Sequence, residues 1–254
     1  MPFLTLGGLK VHYVQRRPLP AGRLPVVFIH GAGGTHQNWL YQVRDLPGSP
    51  TYAPDLPGHG RSEGPGRDSI AADGDWIVSF RDASGLERAV LVGHSMGGGI
   101  ALDVALRYPA RMGGLGLVAT GARLRVAPAV FDAIQQDMQA AVRLICEWTF
   151  GPEAAPEMVR LGRRQMGETS AEVLYSDFLA CDRFDVMDQL GEIAAPAFVL
   201  CGTEDRLTPS KYAVYLRDHI AGATLHLVEG AGHMVMLENP QAVVRALGTF
   251  LEGL

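Results

Sequence analysis

Ser95 sits in "LVGHSMGGGI", with an apolar run before it and a helical pattern after it. A serine hydroxyl becomes a nucleophile toward a carbonyl when a base takes its proton and a third group orients that base. The chemistry in question is therefore acyl transfer. The pattern Gly-x-Ser-x-Gly is present twice, at 93–97 and at 60–64, so the pattern alone does not choose the serine. Context does. Ser62 lies between "PGHG" and "GPG", with no strand before it and no helix after it. Ser95 lies on a strand-to-helix turn, the sharp bend that lifts a serine hydroxyl to the top of a sheet. Such a bend crowds the backbone, and Gly93 and Gly97 are the residues that relieve the crowding. Gly98 and Gly99 fit close helix–sheet packing.

Eight histidines compete for the role of base. His226 reads as a strand residue, His12 as part of a hairpin and His219 as a helix end. His30 and His59 precede glycines in loops. His94 adjoins the serine but points elsewhere, and His36 at most lines the site. His233 follows the last strand, on the glycine-rich loop "EGAGHMVMLENP". In open α/β sheets, chemistry collects at that edge. For the orienting acid, "CGTEDRLTPSK" offers both Glu204 and Asp205, and Thr208-Pro209 reads as a helix cap followed by the first helical position.

The elements that must position these residues are short apolar strands alternating with helices. A Gly7-Gly8 turn joins Phe3–Leu6 to Leu9–Val14 as a hairpin. Strands are predicted at 24–30, 51–56, 88–94, 115–120, 196–202 and 224–230. Helices are predicted at about 35–45, 70–83, 96–108, 209–220 and 239–252. This alternation means a mostly parallel, eight-stranded sheet with helices on both faces. Residues 121–193 break it. Phe131, Ile134, Met138, Val142 and Ile145 fall at helical spacing, and two or three more short helices follow. The expected organisation is a core of 1–120 and 194–254 with an inserted helical lid at 121–193.

Composition narrows the classes. The chain has 254 residues, 47% hydrophobic and 19% charged, with a net charge of -5. The acidic balance argues against nucleic acid or an anionic membrane as partner. Its two lysines, Lys10 and Lys211, follow no P-loop glycine pattern. No HExxH and no GxGxxG are present, so neither a metal nor an organic cofactor is expected. Cys146, Cys181 and Cys201 are odd in number and far apart, as for buried thiols in a reducing compartment. The N-terminal stretch lacks a signal-peptide pattern, and no apolar run approaches a membrane span. Together these point to a cytoplasmic location.

Five pieces in order carry a resemblance: "HGAGG" (30–34), "DLPGHGRS" (55–62), "GHSMGG" (93–98), "GTEDRLTP" (202–209) and "GAGHMVMLENP" (230–240). The chain resembles the α/β-hydrolases over essentially its whole length, in the order nucleophile, acid, histidine. The resemblance implies a Ser95–His233–Asp205 triad, with Glu204 as the lesser candidate for the acid. It implies an oxyanion hole from the N–H groups of Met96 and Ala32. "DLPGHGRS" is then a structural turn, and Asp55 is not the acid. Layout and lid length are similar to small bacterial esterases and 3-oxoadipate enol-lactone hydrolases. The implied activity is hydrolysis of a small-molecule carboxylic ester or lactone through an acyl-enzyme. Thioesterase and carbon–carbon hydrolase are alternatives, the latter weakened because Met234, not Trp, follows the histidine. A small-molecule receptor with a vestigial triad is the remote alternative. Trp148 and Met138 of the lid are the expected substrate contacts.

Overall fold

The structure is a computed structural model that describes residues 2–16 and 23–254. Eight strands form one sheet: β1 (Phe3–Leu6), β2 (Leu9–Arg16), β3 (Val26–Ile29), β4 (Thr51–Pro54), β5 (Ala89–His94), β6 (Met112–Val118), β7 (Ala197–Gly202) and β8 (Thr224–Val228). Their order is β1-β2-β4-β3-β5-β6-β7-β8. β1 and β2 pair antiparallel, as do β2 and β4, and every later pairing is parallel.

Period two along each strand divides the core into two layers. Val27 and Ile29 of β3 face one way with Leu91 and Val199. They pack against Ile77 and Phe80 of α2 (Ile70–Ala83) and Ile100 and Val104 of α3 (Met96–Arg107). Val26 and Phe28 face the other way with Val92, Phe198 and Leu200. These meet Trp39, Val43 of α1 (Leu40–Asp45) and Val243 and Leu247 of α10 (Pro240–Glu252). A strand covered on both faces must be apolar at every position, which is why the central strands read as continuous runs.

Between β6 and β7 the chain forms α4 (Pro128–Gln136), α5 (Met138–Thr149), α6 (Pro156–Gly167) and α7 (Ala171–Arg183). Val130, Ile134, Ala141, Ile145 and Leu174 make a small apolar core of their own here. Where the insertion enters and leaves, Arg123 bridges Asp185 and the Val186 N–H donates to the Ala122 carbonyl at 2.9 Å. After β7 come α8 (Ser210–His219), β8 and the single turn α9 (Val235–Glu238), which leads into α10.

Three local expectations differ. The helical spacing across 131–145 is two helices, because Asp137 is extended (φ -153°, ψ 99°) and its carboxylate caps α5 by accepting from Gln139 and Ala140. β6 begins at Met112 rather than Leu115. Gly113 and Gly114 hide its start, yet a Cβ at Gly114 would press on Phe250 and Leu254 at 3.1 Å. Thr208 does not cap α8, whose flanking residue is Pro209 with no side-chain cap.

Candidate active site

β5 ends and α3 begins at Ser95, whose backbone lies at φ 53° and ψ -118°. A positive φ is costly for a residue with a side chain and persists only where its surroundings impose it. Here they do. The Ser95 N–H donates to the Val118 carbonyl at 3.0 Å, and the Ser95 carbonyl accepts the Thr120 hydroxyl at 2.7 Å. A Cβ at Gly98 would lie 2.5 Å from the Thr120 side chain. The turn is thus locked against the end of β6.

Ser62 is different. Its hydroxyl donates to the Asp55 carbonyl at 2.7 Å and accepts the His12 N–H at 2.9 Å, so it is used up as a structural bridge. Asp55 is a hub in the same turn. Its carboxylate receives the ring Nδ1 of His12 and of His36, both at 2.8 Å, and the backbone N–H groups of His36 and Arg61. His12, His36 and Asp55 also group closely enough to offer metal ligands. Their hydrogen bonds to one another account for that grouping.

His233 Nδ1 lies 2.9 Å from Asp205 Oδ2 and 3.1 Å from Oδ1, with both side chains buried. Asp205 also accepts the N–H groups of Leu207 (2.9 Å) and Thr208 (2.8 Å) and the Thr208 hydroxyl (2.8 Å). Burial pushes the Asp205 carboxyl up, but the His233 ring and the Thr208 donors outweigh it and hold the carboxyl below its usual range. Glu204 is exposed, and its backbone N–H pairs with the Ala231 carbonyl. Of the two acids in the loop, Asp205 is the one that touches His233.

The loop that carries His233 is held from two sides. The Thr149 carbonyl at the end of α5 accepts the N–H of His233 at 2.9 Å, and the His233 carbonyl lies 3.0 Å from His94 Nε2. Burial, then His233, drives the His94 pKa well below its ordinary value, so His94 is a neutral donor. Its support of the His233 loop was not expected from sequence. Its place next to Ser95 was the available signal.

Ala32 and Met96 flank Ser95 from two elements. Gly31 lies against the serine: a Cβ there would be 3.1 Å from Ser95 Cβ. Among the described residues, neither the Ala32 nor the Met96 N–H is spent on a hydrogen bond. The Gly31–Ala32 peptide is fixed through its carbonyl, which lies 2.8 Å from His30 Nδ1 and accepts the Gly34 N–H at 3.0 Å. His30 Nε2 accepts the Leu56 N–H, and burial and His59 push the His30 pKa down to about 3.

A cavity of about 990 Å³ opens beside these groups. Gly31, Ala32, His94 and Met234 line its inner end, although Ser95 and His233 themselves are not lining residues. Phe150, Met158, Leu161 and Met166 line its lid side, and Leu40 and Tyr41 of α1 its opposite wall. The two expected lid contacts lie elsewhere. Trp148 is 36% exposed at the edge of the buried stripe of α5, three residues on from Ile145, and does not line the cavity. Met138 packs on the lid's own core with Ile134 and Leu174. No helix among the described residues is long and apolar enough to cross a membrane.

Comparisons with known proteins agree with this fold. The pimeloyl-[acyl-carrier protein] methyl ester esterase of Neisseria meningitidis is 28% identical, covering 94% of this chain and 97% of that protein. A thermophilic esterase of known structure is 34% identical at a TM-score of 0.88, covering 99% and 97% of the two chains. The enol-lactonase from Burkholderia xenovorans LB400 is 25% identical at a TM-score of 0.92, covering 99% and 100%. Residues 26–246 match the family described as "Alpha/beta hydrolase family". The protein is a member of that family, similar to its esterases and lactonases.

Proposed function

We propose that the protein hydrolyses a carboxylic ester or lactone through an acyl-enzyme on Ser95. The observation that carries this reading is the pairing of His233 Nδ1 with Asp205 at the sheet edge that holds the strained Ser95 turn. In this mechanism Ser95 Oγ attacks the carbonyl carbon and its proton passes to His233 Nε2. The carbonyl oxygen becomes an oxyanion and accepts the N–H groups of Ala32 and Met96. Collapse expels the alcohol, which takes the proton from His233. Water then attacks the acyl-enzyme by the same route and releases the acid. Asp205 keeps Nδ1 protonated, so Nε2 is the free base.

The cavity beside the triad suits a small acyl group: Phe150, Met158, Leu161 and Met166 offer it apolar surface, among polar side chains such as Asn38 and Gln165. The relatives' names, a methyl ester esterase and an enol-lactonase, support ester and lactone carbonyls as the substrate class. The test is a screen over short-chain esters, lactones and acyl thioesters, with Ser95→Ala as blank. Ester or lactone turnover that falls by a factor on the order of 10⁶ in Ser95→Ala supports the reading. A fluorophosphonate should label Ser95 and leave Ser62 untouched. Turnover that survives Ser95→Ala overturns it, and tight binding without turnover favours a receptor instead.

A further inference from the structure

The lid grips the turn after β3 with three polar side chains. The Gly33 N–H donates to Asp177 Oδ2 at 2.8 Å. The Thr169 hydroxyl lies 3.4 Å from the Gly33 carbonyl, and Gln165 Nε2 donates to Thr35 Oγ1 at 2.9 Å. These come from α7, the turn before it and α6. All three act on residues 33–35, immediately after Ala32. Gly33 has φ +62°, and a Cβ there would lie 2.8 Å from Leu174 Cδ1, so this backbone is pressed onto α7.

Asp177 is an unusual choice for that contact. It is 1% exposed, and an apolar residue would fill the same space without desolvating a charge. Its partner is His59, whose Nε2 lies 2.8 Å from the same Oδ2. His59 Nδ1 lies 3.0 Å from the Pro57 carbonyl. A carbonyl only accepts, so Nδ1 carries a hydrogen, and Nε2 donates to the carboxylate. A ring that donates from both nitrogens is an imidazolium. Burial opposes that charge, but Asp177 more than offsets it and raises the His59 pKa.

We propose that Asp177 is a positioning residue for the oxyanion donor, an inference that rests on the reading of Ala32 above. The Gly31–Ala32 peptide carries the donor N–H and is fixed through its carbonyl by His30 and Gly34. The next peptide, Ala32–Gly33, is fixed through its N–H by Asp177. With both planes set, the dihedrals at Ala32 have no freedom left, and its N–H points where the oxyanion forms. His59 completes the device. A bare carboxylate this close would oppose a developing negative charge, and the imidazolium cancels it. The lid is therefore part of the catalytic geometry as well as a wall of the cavity.

The experiment compares Asp177→Leu with Asp177→Asn. Leucine keeps the branch at Cγ, fills the site with apolar atoms and removes the acceptor. Asparagine keeps one oxygen for the Gly33 N–H, and its amide group can donate to Nε2 of a neutral His59. Rates are expressed per active site titrated with a fluorophosphonate, and affinity is measured for a trifluoromethyl ketone, which forms an oxyanion on Ser95. In Asp177→Leu, kcat should fall roughly tenfold to a hundredfold with KM changed less than about threefold, and ketone binding should weaken in parallel. Asp177→Asn should recover most of the loss. A folded Asp177→Leu protein with native kcat and ketone affinity per titrated site overturns the proposal. If that variant does not fold, His59→Gln carries the test: it leaves the carboxylate uncompensated and should lower kcat and ketone affinity together, and native values would overturn the proposal. Full activity in Ser95→Ala sinks the reading of the site and this inference with it. An inactive Ser95→Ala beside a fully active Asp177→Leu sinks this inference alone.

Discussion

Gly93 and Gly97 face each other across the turn that carries Ser95, so closely that a Cβ on Gly93 would collide with the Gly97 carbonyl. A Cβ on Gly97 would in turn collide with the Ile29 carbonyl of β3. Both obstacles are backbone atoms of buried elements and cannot swing aside. Gly97→Ala should therefore cost about 3 kcal/mol or more, roughly 10 °C in Tm, and distort Ser95 even where the protein folds. Gly99→Ala is the control. Its Cβ would meet only the Leu124 and Phe184 side chains at 3.3 Å, and they can shift by tenths of an ångström. Thermal melts and fluorophosphonate titration of the two variants check this, and an unchanged Gly97→Ala protein would contradict it.

The same residues mark how far the sequence could be read. The choice between Ser95 and Ser62 followed from flanking elements, because a strand and a helix leave local patterns. The continuous strands were equally visible. What escaped were features set by contacts distant in the chain. The start of β6 is glycine because Phe250 and Leu254 of the C-terminal segment need the room. Thr208 reads as a helix cap, but its hydroxyl is taken by Asp205 and lies 3.2 Å from His233, 25 positions away. Asp177 reaches Gly33 across 144 positions. Helical spacing put Met138 on one stripe with Ile134 and Ile145, and it packs on that core; neither it nor Trp148 lines the cavity in the folded chain.

The acid in the proposed triad has a direct test. Asp205→Asn should lower kcat by roughly 10⁴, because the amide holds the wrong imidazole tautomer. Glu204→Gln should change kcat less than about threefold, since Glu204 is exposed and does not touch His233. Thr208→Val lies between them. It removes the hydroxyl donated to Asp205 Oδ2 but leaves the Thr208 N–H on Oδ1, and a loss of about tenfold is expected. Steady-state kinetics on one ester ranks the three, and a reversed order for Asp205 and Glu204 would reassign the acid.

Asp73 of α2 makes stability depend on pH. It is 3% exposed, and burial followed by repulsion from Asp177 pushes its pKa up to about 7, against attraction from Arg67 and His59. Cys181 also faces it. Between about pH 4, the unfolded value, and about 7, the folded state holds a proton that the unfolded chain has lost. Stability from this group therefore falls as pH rises through that window and levels off above it. Asp73→Asn, which imitates the protonated acid, should be no more stable than the native protein at pH 4. At pH 8 it should gain on the order of 2 kcal/mol, roughly 5 °C in Tm. Melts at the two pH values decide the sign, and a gain at pH 4 that vanishes at pH 8 would refute it.

Selectivity among acyl groups should be set by the residues that line the cavity and not by Trp148. Met158 and Met166 of α6 line its lid side with Phe150; Met166 also packs on the core of Ile134, Ile145 and Leu174, whereas Met158 does not. Methionine is flexible and polarizable, which suits a wall that meets acyl chains of several shapes. Met158→Ala should shift the preferred ester toward longer acyl chains, and Met158→Trp toward shorter ones. Each methylene gained or lost against such a wall is worth about 1–3 kcal/mol, so the ratio of kcat/KM values for neighbouring chain lengths should move by roughly 10- to 200-fold. Trp148→Ala removes a ring that does not line the cavity and should leave that ratio within about twofold of the native value. A kcat/KM series over p-nitrophenyl esters from acetate to decanoate measures all three variants. A profile that moves with Trp148 and not with Met158 would place the acyl chain outside this cavity.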